Sequence, residues 1–379
     1  MKILIAGGGT GGHVFPGIAV AEELKASFPQ VEVLFVGGKQ GIEATAVPEA
    51  GFRLRTLPTA GFPRKRWWRW PWSAVVNVFG LLQAIFIILT ERPKAVLGTG
   101  GYVSGPVSVA AKLFGVPLLL QEQNSIPGLT NRWLARIADE VHLSFLEARR
   151  YFSRRDHLKV TGNPVRSYIL SGEREPALRE FKLDPSRPTL FVFGGSLGAK
   201  RINSAAVEAL RKLKDRVDVQ CILQTGKDDY ESVKATVERE QLHATVLPFV
   251  KKMHLAYAAA DLVVCRAGAM TLAEIAVCGR PSILVPYPFA AHDHQRVNAA
   301  NLADRGAAVV IEDSELTGER LAQEIAHLLA DRTLLSRMSA NARLFARPDA
   351  ASRLARSLIS WAEGSAGRPE PEPAVEEGN

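Results

Sequence analysis

The sequence predicts an α/β protein in which two doubly wound parallel sheets form two domains. Short, uniformly apolar runs alternate with segments of helical periodicity along almost the whole chain. A glycine-rich turn follows the first apolar run of each half. Parallel strands joined by helices are buried on both faces, so they are apolar throughout and do not alternate with polar residues. At 379 residues, the chain has the length of two ordinary domains.

The first half opens with the strand KILIA at residues 2–6, which runs into the glycine turn GGGTGG at 7–12. A helical pattern follows at residues 18–24, and the start of such a helix presents free N–H groups to an anion. Four further strands are predicted at residues 31–36, 95–98, 118–121 and 140–143. Small or amide-bearing residues follow several of these strands, which suits a ligand with hydroxyl and phosphate groups.

The second half repeats this order. The strand TLFVF at 189–193 leads into the turn GGSLG at 194–198 and then into a helix over residues 203–210. Five further strands are predicted at residues 219–224, 245–249, 262–265, 282–286 and 307–311. The repeated strand, glycine turn and helix predict one Rossmann-like sheet in each half.

The turn-forming sequence TGNP at 161–164 predicts a domain boundary, with domains at residues 1–163 and 164–361. Two such sheets would turn the carboxyl ends of their strands toward a shared cleft, where ligands bind in this architecture. The last helix of the second domain is a candidate to pack back on the first. The remaining residues, 362–379, are rich in Pro, Glu and Gly and predict a disordered tail.

The charge balance predicts an anionic partner, because 47 Lys and Arg outnumber 39 Asp and Glu and give a net charge of +8. The three cysteines, Cys221, Cys265 and Cys278, form no close pair, which is typical of a reducing compartment. The first residues run directly into glycines without an apolar region and a cleavage site, so no signal peptide is expected.

Basic and aromatic residues are concentrated in PRKRWWRWPW at 63–72, and residues 74–89 carry no charge. Indole rings prefer the headgroup level of a bilayer and basic residues are attracted to anionic lipid, so this pattern predicts membrane docking. The predicted docking residues are Arg64, Lys65, Arg66, Trp67, Trp68, Arg69, Trp70 and Trp72. Single-stranded nucleic acid can also bind such a pattern, but the chain has no nucleic-acid-binding signature.

Two other interpretations of residues 63–89 remain open: a core helix with a solvated basic loop, and a spanning helix. A span needs about 20 apolar residues. This run is short, it contains Asn77, Gly80 and Gln83, and a buried strand is predicted directly after it. A core helix whose exposed face and preceding loop dock on the membrane is the interpretation that we favour.

The glycines at 7, 9 and 12 have the G-x-G-x-x-G spacing of dinucleotide-binding proteins. A Rossmann dehydrogenase also needs an acidic residue about 20 residues further on, at the end of the second strand, to bind a ribose hydroxyl. Here that strand ends in VGGK at 36–39, and the next carboxylate is Glu43. An NAD(P)-dependent oxidoreductase is therefore disfavoured.

A helix opens directly after the predicted strand at 262–265. Its N-terminal amides could bind a phosphate, and Glu274, about one turn inside, could accept two hydrogen bonds from a ribose diol. The alternative is a glutamate that only complements the helix dipole. The sequence HDHQ at 292–295 suggests a metal, but ligands at i and i+2 seldom converge, so no metal is expected.

Six motifs in chain order are shared with a known group of enzymes: GGTGGH at 8–13, GGYVSGP at 100–106, EQN at 122–124, GNPVR at 162–166, GGSLGA at 194–199 and QRVNA at 295–299. With these motifs, the chain resembles the MurG family of bacterial glycosyltransferases from Met1 to about Trp361. The acidic tail has no counterpart there. The resemblance implies the GT-B architecture, in which two Rossmann-like domains face a cleft and the C-terminal one holds most of the nucleotide sugar.

The resemblance also implies roles for individual residues in binding UDP-N-acetylglucosamine. Val250 would offer backbone groups to the uracil, Glu274 would bind the ribose and Gln295 would bind sugar hydroxyls. The diphosphate would be held by side chains and by the start of one helix: Arg166, Ser196, Ala269, Met270 and Thr271, with Leu272 and Ala273 next in that helix. The first domain would close over the sugar with Thr10, Gly11, Gly12 and Asn124.

The implied reaction is an inverting transfer of N-acetylglucosamine from its UDP donor to the 4-hydroxyl of undecaprenyl-diphospho-N-acetylmuramoyl-pentapeptide. This transfer converts lipid I to lipid II in peptidoglycan synthesis. His13 is the candidate general base, because it follows the first glycine turn and titrates near working pH. The alternative is that His13 only orients an acceptor phosphate or caps the turn. Proton removal can be late in transfer through an oxocarbenium-like state.

The resemblance further implies a peripheral protein at the cytoplasmic face of the bacterial plasma (inner) membrane. No cofactor and no nucleic acid are expected, and proteins of cell-wall synthesis and cell division are further candidate partners. Three rival functions remain: a UDP-N-acetylglucosamine 2-epimerase of the same fold, an NAD(P)-binding oxidoreductase, and a membrane-bound scaffold that only binds nucleotide. The epimerase needs no lipid acceptor, so the Trp/Arg segment counts against it.

Overall fold

The computed structural model describes residues 1–61, 68, 70–214, 216–290 and 293–365. Two parallel sheets lie in this part of the chain, and helices cover both faces of each. The predicted α/β class with two doubly wound parallel sheets is confirmed. The predicted tail beyond residue 365, and five of the docking residues (Arg64, Lys65, Arg66, Trp67 and Arg69), lie outside the described residues.

Seven strands form the first sheet: β1 (Lys2–Gly7), β2 (Glu32–Gly37), β3 (Arg53–Thr56), β4 (Ala95–Gly100), β5 (Leu118–Glu122), β6 (Glu140–Leu143) and β7 (Leu158–Val160). Their order is β3-β2-β1-β4-β5-β6-β7, and every neighbouring pair is parallel. The connecting helices are α1 (Gly11–Ser27), α2 (Glu43–Glu49), α3 (Trp70–Glu91), α4 (Ser104–Leu113) and α5 (Leu129–Leu134).

Six parallel strands form the second sheet: β8 (Thr189–Phe193), β9 (Gln220–Gln224), β10 (Ala244–Leu247), β11 (Leu262–Cys265), β12 (Ser282–Leu284) and β13 (Ala308–Val310). Their order is β10-β9-β8-β11-β12-β13. The helices of this half are α6 (Arg174–Phe181), α7 (Lys200–Leu213), α8 (Tyr230–Arg239), α9 (Met253–Ala259), α10 (Ala269–Cys278), α11 (His294–Ala303), α12 (Gly318–Ala330) and α13 (Arg332–Leu344).

The strand order reverses beside the first strand of each sheet, between β1 and β4 and between β8 and β11. At such a switch point the connections leave in opposite directions and open a crevice at the carboxyl ends of the strands. The glycine turns predicted from sequence follow β1 and β8. Both turns therefore lie at the places where this architecture binds ligands.

Strands β3 and β7 were not predicted, and they are the two edges of the first sheet. Strand β3 has the sequence RLRT and leaves its arginines exposed, while β7 is only three residues long. An edge strand has one neighbour and a solvated side, so it does not need the uniformly apolar run on which the other strands were recognised.

The last helix, α14 (Ala350–Ala362), returns to the first sheet. Leu354, Ala355, Leu358 and Ile359 are buried there in one apolar cluster with Ile3 and other residues of β1 and α1. Glu140 at the start of β6 fixes the helix further. Its carboxylate accepts hydrogen bonds from Ser357 and, at 3.1 Å, from Trp361 Nε1.

The chain thus passes between the two sheets twice, at residues 161–166 and again at 346–349. The two passages touch at Gly162, whose φ of +90° favours glycine. A Cβ atom at Gly162 would overlap the Cβ of Arg347 and lie 3.5 Å from that of Ala350. The glycine is required here for its conformation and for the close approach of the second passage.

Helix α3 carries an apolar stripe on its outer face. Trp72, Phe79 and Phe86 are each more than 60% exposed, and Val75, Val78 and Leu82 extend the stripe. The opposite face is buried at Ser73, Gly80, Ala84, Ile87 and Ile88 and packs on α4. Among the described residues, α3 is the one helix long and apolar enough to cross a membrane.

Candidate functional site

The turn after β1 opens the N-terminus of α1 toward the cleft. Thr10 caps the helix, and its carbonyl accepts from the N–H groups of His13 and Val14 at 3.1 and 3.2 Å. The preceding N–H groups, those of Gly11 and Gly12, have no partner within the helix. They carry the positive end of the helix dipole, which favours a negatively charged or electron-rich ligand.

The ring of His13 is held in one orientation and one tautomer. Its Nδ1 lies 3.1 Å from the carbonyl oxygen of Thr99 and 3.2 Å from Oε1 of Gln123. A carbonyl oxygen can only accept, so Nδ1 carries the proton and the lone pair is on Nε2. Burial lowers the pKa of His13, an effect that the hydrogen bonds donated by Nδ1 to Gln123 and Thr99 partly offset. His13 is therefore neutral at pH 7 and able to accept a proton.

Glu43 organises this turn, although the sequence indicated no role for it beyond being the first carboxylate after the second strand. Its buried carboxylate accepts from the N–H of Gly9 at 2.9 Å and from that of Gly38 at 2.8 Å. It thereby ties the turns after β1 and β2 together. A Cβ at Gly8 would overlap this carboxylate, so the pyrophosphate of a dinucleotide on this turn would meet a buried negative charge. The geometry adds a second reason against NAD(P).

A cavity of about 340 Å³ lies beside these turns, lined by Gly8, Gly9, residues 38–41, residues 57–59 and Tyr102. Its 57–59 wall is attached to α3. Gln83 Nε2 donates to the carbonyl of Thr56 at 3.0 Å. Asn77 accepts from the N–H of Ala60 at 3.2 Å and donates to its carbonyl at 2.9 Å. Hydrogen bonds therefore connect the wall of the cavity to the apolar helix.

The predicted diphosphate and ribose ligands of the second half lie together. Arg166 Nη2 is 3.6 Å from Glu274 Oε1, and the hydroxyl of Tyr257 donates to Glu274 Oε2 at 2.9 Å. Burial raises the pKa of Glu274, against the opposing effect of Arg166 and the Tyr257 hydrogen bond. The guanidinium is stacked between Phe15 of α1 at 4.2 Å and Tyr168 at 4.9 Å. Arg166 therefore connects the donor residues with the first domain.

The start of α10 presents a second set of open amides. Gly268 caps the helix, and the first N–H that pairs within it is that of Leu272, which donates to the Gly268 carbonyl at 3.0 Å. The amides of Ala269, Met270 and Thr271 are therefore the ones able to bind a diphosphate. Leu272 has its side chain in the apolar core and its N–H inside the helix, so it supports the helix and does not face a ligand.

The structure changes the expectation for Val250. Its N–H already donates to Gln224 Oε1 at 2.8 Å, and Gln224 Nε2 donates in turn to the carbonyl of Gly195 at 2.9 Å. Val250 was expected to offer its backbone N–H and carbonyl to the uracil, but the N–H is already hydrogen-bonded within the protein. Ser196, on the turn after β8, is exposed.

Two amide side chains predicted to contact the sugar are oriented by the protein. Gln295 Oε1 accepts from the N–H of Tyr287 at 3.0 Å. Asn124 Nδ2 lies 3.4 Å from Glu122 Oε1, and Asn124 Oδ1 accepts from Asn298 at 3.4 Å. Among the described residues, no three His, Cys, Asp or Glu side chains are grouped so as to hold a metal ion, and His292 lies outside them.

The predicted site residues thus gather at the carboxyl ends of the strands in both sheets. Those of the first domain follow β1 and β5, Arg166 follows β7, and the others follow β8, β10, β11 and β12. Five residues with a direct role in this geometry were not predicted: Glu43, Gln123, Gln224, Tyr257 and Asn298. Gln123 lies inside the EQN motif, which was a signal for it. Asn298 likewise lies inside the QRVNA motif at 295–299, whereas no motif contains Glu43, Gln224 or Tyr257.

Two facing Rossmann-like sheets with open helix N-termini at the cleft define the GT-B architecture, which more than one class of nucleotide-sugar enzyme shares. The glycosyltransferase family 28 N-terminal domain matches residues 3–143, and the family 28 C-terminal domain matches residues 189–354. The chain belongs to the MurG family of N-acetylglucosamine transferases within glycosyltransferase family 28. The predicted family, architecture and enzyme class are confirmed.

Family membership is shown by relatives of matching length. The UDP-N-acetylglucosamine--N-acetylmuramyl-(pentapeptide) pyrophosphoryl-undecaprenol N-acetylglucosamine transferase of Chlorobaculum parvum is 47% identical over 365 residues, which cover 95% of this chain and 99% of that one. The enzyme of the same name from Desulforamulus reducens is 43% identical over 367 residues, covering 94% and 98%.

Solved structures give the same result. The crystal structure of Acinetobacter baumannii MurG matches with a TM-score of 0.74 at 30% identity, over 95% of this chain and 99% of that one. A UDP-N-acetylglucosamine 2-epimerase matches with a TM-score of 0.71 at 13% identity, over 98% and 99%. The epimerase shares the fold alone. The comparisons favour the transferase over this rival.

Proposed function

We propose that the chain transfers N-acetylglucosamine from UDP-N-acetylglucosamine, with inversion, to the 4-hydroxyl of undecaprenyl-diphospho-N-acetylmuramoyl-pentapeptide in peptidoglycan synthesis. The observation that carries the proposal is the contact between Arg166 and Phe15, 4.2 Å from guanidinium to ring centroid. Phe15 is two residues beyond His13 on α1. The candidate base of the first domain lies on α1, and the candidate diphosphate ligand of the second domain contacts the same helix.

The leaving diphosphate would be stabilised by fixed positive charge. The open amides of Ala269, Met270 and Thr271 provide the end of a helix dipole, and Arg166 adds a full charge at the same place. Ser196 contributes a hydroxyl from the turn after β8. These groups are preorganised, so they would stabilise the charge that develops on UDP without having to move.

His13 would act as the general base. Its Nε2 takes the proton of the acceptor hydroxyl while that oxygen bonds to the anomeric carbon and the bond from this carbon to the UDP oxygen breaks. Attack from the face opposite UDP converts the α-linked donor into a β(1→4) disaccharide. Thr99 and Gln123 hold Nδ1 and thereby direct Nε2.

The acceptor would reach the cleft from a membrane surface that α3 contacts. The apolar stripe of α3 points outward, while its inner face is bound to the cavity wall through Asn77 and Gln83. Spanning the bilayer would expose these polar contacts to lipid, whereas docking preserves them. These contacts support peripheral binding, and from the family we propose the cytoplasmic face of the bacterial plasma (inner) membrane, with domain 1–163 receiving the lipid-linked acceptor.

In the same proposal, residues 164–361 form the donor domain. Helix α14 belongs to this stretch in sequence, but it packs in the core of the first domain. A boundary at Asn163 therefore separates the domains along the sequence but not in space, because α14 completes the core of the first domain.

The test is to incubate the full chain with UDP-N-acetylglucosamine and a short-chain, lipid-linked muramoyl-pentapeptide. We expect UDP and a disaccharide-lipid in equal amounts, with a β(1→4) linkage by NMR. A reaction without acceptor distinguishes the rivals, because an epimerase would convert the donor to its C2 epimer. Donor that binds but stays intact in both reactions would refute the proposal and leave a nucleotide-binding scaffold.

A further inference from the structure

A short loop of the first domain, Asn124–Ser125, is bound by helix α11 of the second. Asn298 Oδ1 accepts from the N–H of Ser125 at 3.1 Å, and Asn298 Nδ2 donates to Asn124 Oδ1 at 3.4 Å. Asn301, three residues later, donates from Nδ2 to the hydroxyl of Ser125 at 3.0 Å. Asn298 and Ser125 are both completely buried.

The orientation of each amide follows from its partners. A backbone N–H can only donate, so the oxygen of Asn298 must face Ser125 and its NH₂ group must face Asn124. The oxygen of Asn124 therefore points to Asn298, and its NH₂ group points to the carboxylate of Glu122. Asn124 is thus held from both domains. One N–H and one oxygen lone pair remain on it for a ligand.

We infer that Asn298 is a positioning residue for sugar transfer, which orients Asn124 across the domain interface toward the N-acetylglucosamine of the donor. The inference rests on the proposed function. Asn298 is completely buried, and its effect on the sugar would pass through Asn124. It lies one helical turn beyond Gln295, which the protein orients through Tyr287, so a single turn of α11 sets both amides that face the sugar.

This arrangement makes recognition of the sugar depend on the contact between the domains. The nucleotide is bound by groups of the second domain, which do not require Asn124. The sugar is bound in addition by an amide of the first domain, and this amide is aligned only when α11 lies against the loop. Loss of Asn298 should therefore affect UDP-N-acetylglucosamine more than UDP.

The variant Asn298→Asp tests the inference, since it keeps the size of the side chain and the acceptor for Ser125. Its second oxygen would face the oxygen of Asn124 and repel it. We expect the KM for UDP-N-acetylglucosamine to rise about tenfold while the Kd for UDP stays unchanged. Unchanged KM, or equal losses of UDP and UDP-sugar affinity, would overturn the inference.

Asn301→Ala is the matched control, because it removes a hydrogen bond to the same loop without contacting Asn124. We expect it to leave the KM for the donor within about twofold of the wild type. A tenfold loss in this variant would mean that anchoring of the loop suffices, and Asn298 would have no separate role.

A double variant provides the second check. If Asn298 acts through Asn124, then Asn298→Asp should add nothing to the loss already caused by Asn124→Ala. Independent, additive losses would overturn the inference. Binding of UDP and UDP-sugar by calorimetry needs no acceptor, so this outcome is separate from a failure of the proposed transfer reaction.

Discussion

The guanidinium of Arg166 lies 3.6 Å from the carboxylate of Glu274, so the groups proposed for the diphosphate and the ribose hold each other. The side chains are 15% and 9% exposed. At this burial, loss of one partner leaves the other charge poorly solvated. In the proposed function the donor binds to both groups, so we expect each of them to influence the affinity for the nucleotide.

Glu274→Ala should weaken donor binding. The change removes the proposed ribose acceptor and leaves Arg166 without its partner, and hydrogen bonds to charged groups contribute about 1.5–3 kcal/mol. We expect the KM for UDP-N-acetylglucosamine to rise by about tenfold or more. Glu274→Gln keeps an acceptor for Tyr257 and serves as the control for folding. A donor KM that does not move would contradict the ribose role.

His13→Ala should abolish most of the turnover without changing nucleotide binding. General base catalysis contributes about 10²–10⁴ to the rate, so kcat should fall by about that factor. His13 contacts Thr99 and Gln123 of its own domain, and we expect the Kd for UDP to stay the same. Turnover at the wild-type rate in this variant would eliminate His13 as the base.

The pH profile provides an independent measurement on the same residue. Burial lowers the pKa of His13 below its usual 6.5. An imidazolium cannot accept the proton of the acceptor, so kcat/KM should fall as the pH drops through this lowered pKa. The hydrogen bond that His13 Nδ1 donates to Gln123 raises the pKa of His13, so Gln123→Met should move the acidic limb to still lower pH. An acidic limb at or above pH 6.5 in the wild type would be inconsistent with this environment.

Replacing the four tryptophans at 67, 68, 70 and 72 by serine should release the protein from membranes. Trp70 and Trp72 are 49% and 65% exposed, and indole rings stabilise binding at the headgroup level. We expect binding to anionic vesicles to weaken at least about tenfold, with unchanged turnover of a water-soluble acceptor. Leu344→Ser, which alters an exposed apolar residue of the second half, is the control. Equal sedimentation with vesicles would exclude docking through this segment.

Glu140→Gln should lower the free energy of unfolding by about 1–3 kcal/mol at pH 7. Burial alone would raise the pKa of Glu140, but contacts with His142, Ser357 and Trp361 together lower it well below its usual range. A lowered carboxyl pKa stabilises the fold above the unfolded value of about 4.5 and loses this effect as the pH falls further.

The wild type and the variant should therefore differ in their free energy of unfolding by denaturant at pH 7. The difference should shrink below about pH 4.5, where Glu140 takes up a proton in the unfolded chain before it does so in the folded protein. Glu49→Gln, at an exposed position of α2, controls for the loss of a charge. A difference in stability that is constant from pH 7 to pH 3 would show that the hydrogen bonds to α14 do not depend on ionisation.

Central strands could be predicted from the sequence because they are buried on both faces. Each is therefore uniformly apolar and can be recognised from its own residues. Strand β6 was predicted with its observed bounds, and so were β8 and β11. The edge strand β3 was missed because its arginines alternate with apolar residues at a solvated edge. The amides at the starts of α1 and α10 were also predictable, since a helix N-terminus follows from the glycines directly before it.

Residues that position the site could not be predicted in this way. Glu43 meets Gly9 across 34 positions of the chain, and Asn298 meets Ser125 across 173. No periodicity relates such pairs, and only the assembled sheets bring them into contact. The hydrogen bond of the Val250 N–H could not be predicted for the same reason, because its partner Gln224 lies at the end of another strand, β9.

The contact of Gly162 with Arg347 has a topological consequence. Both covalent connections between the two sheets pass side by side at this one place. A single cut in the passage at 161–166 would not release the two fragments from each other. The downstream fragment would still carry α14 embedded in the first domain, and separating the pieces would require that domain to unfold.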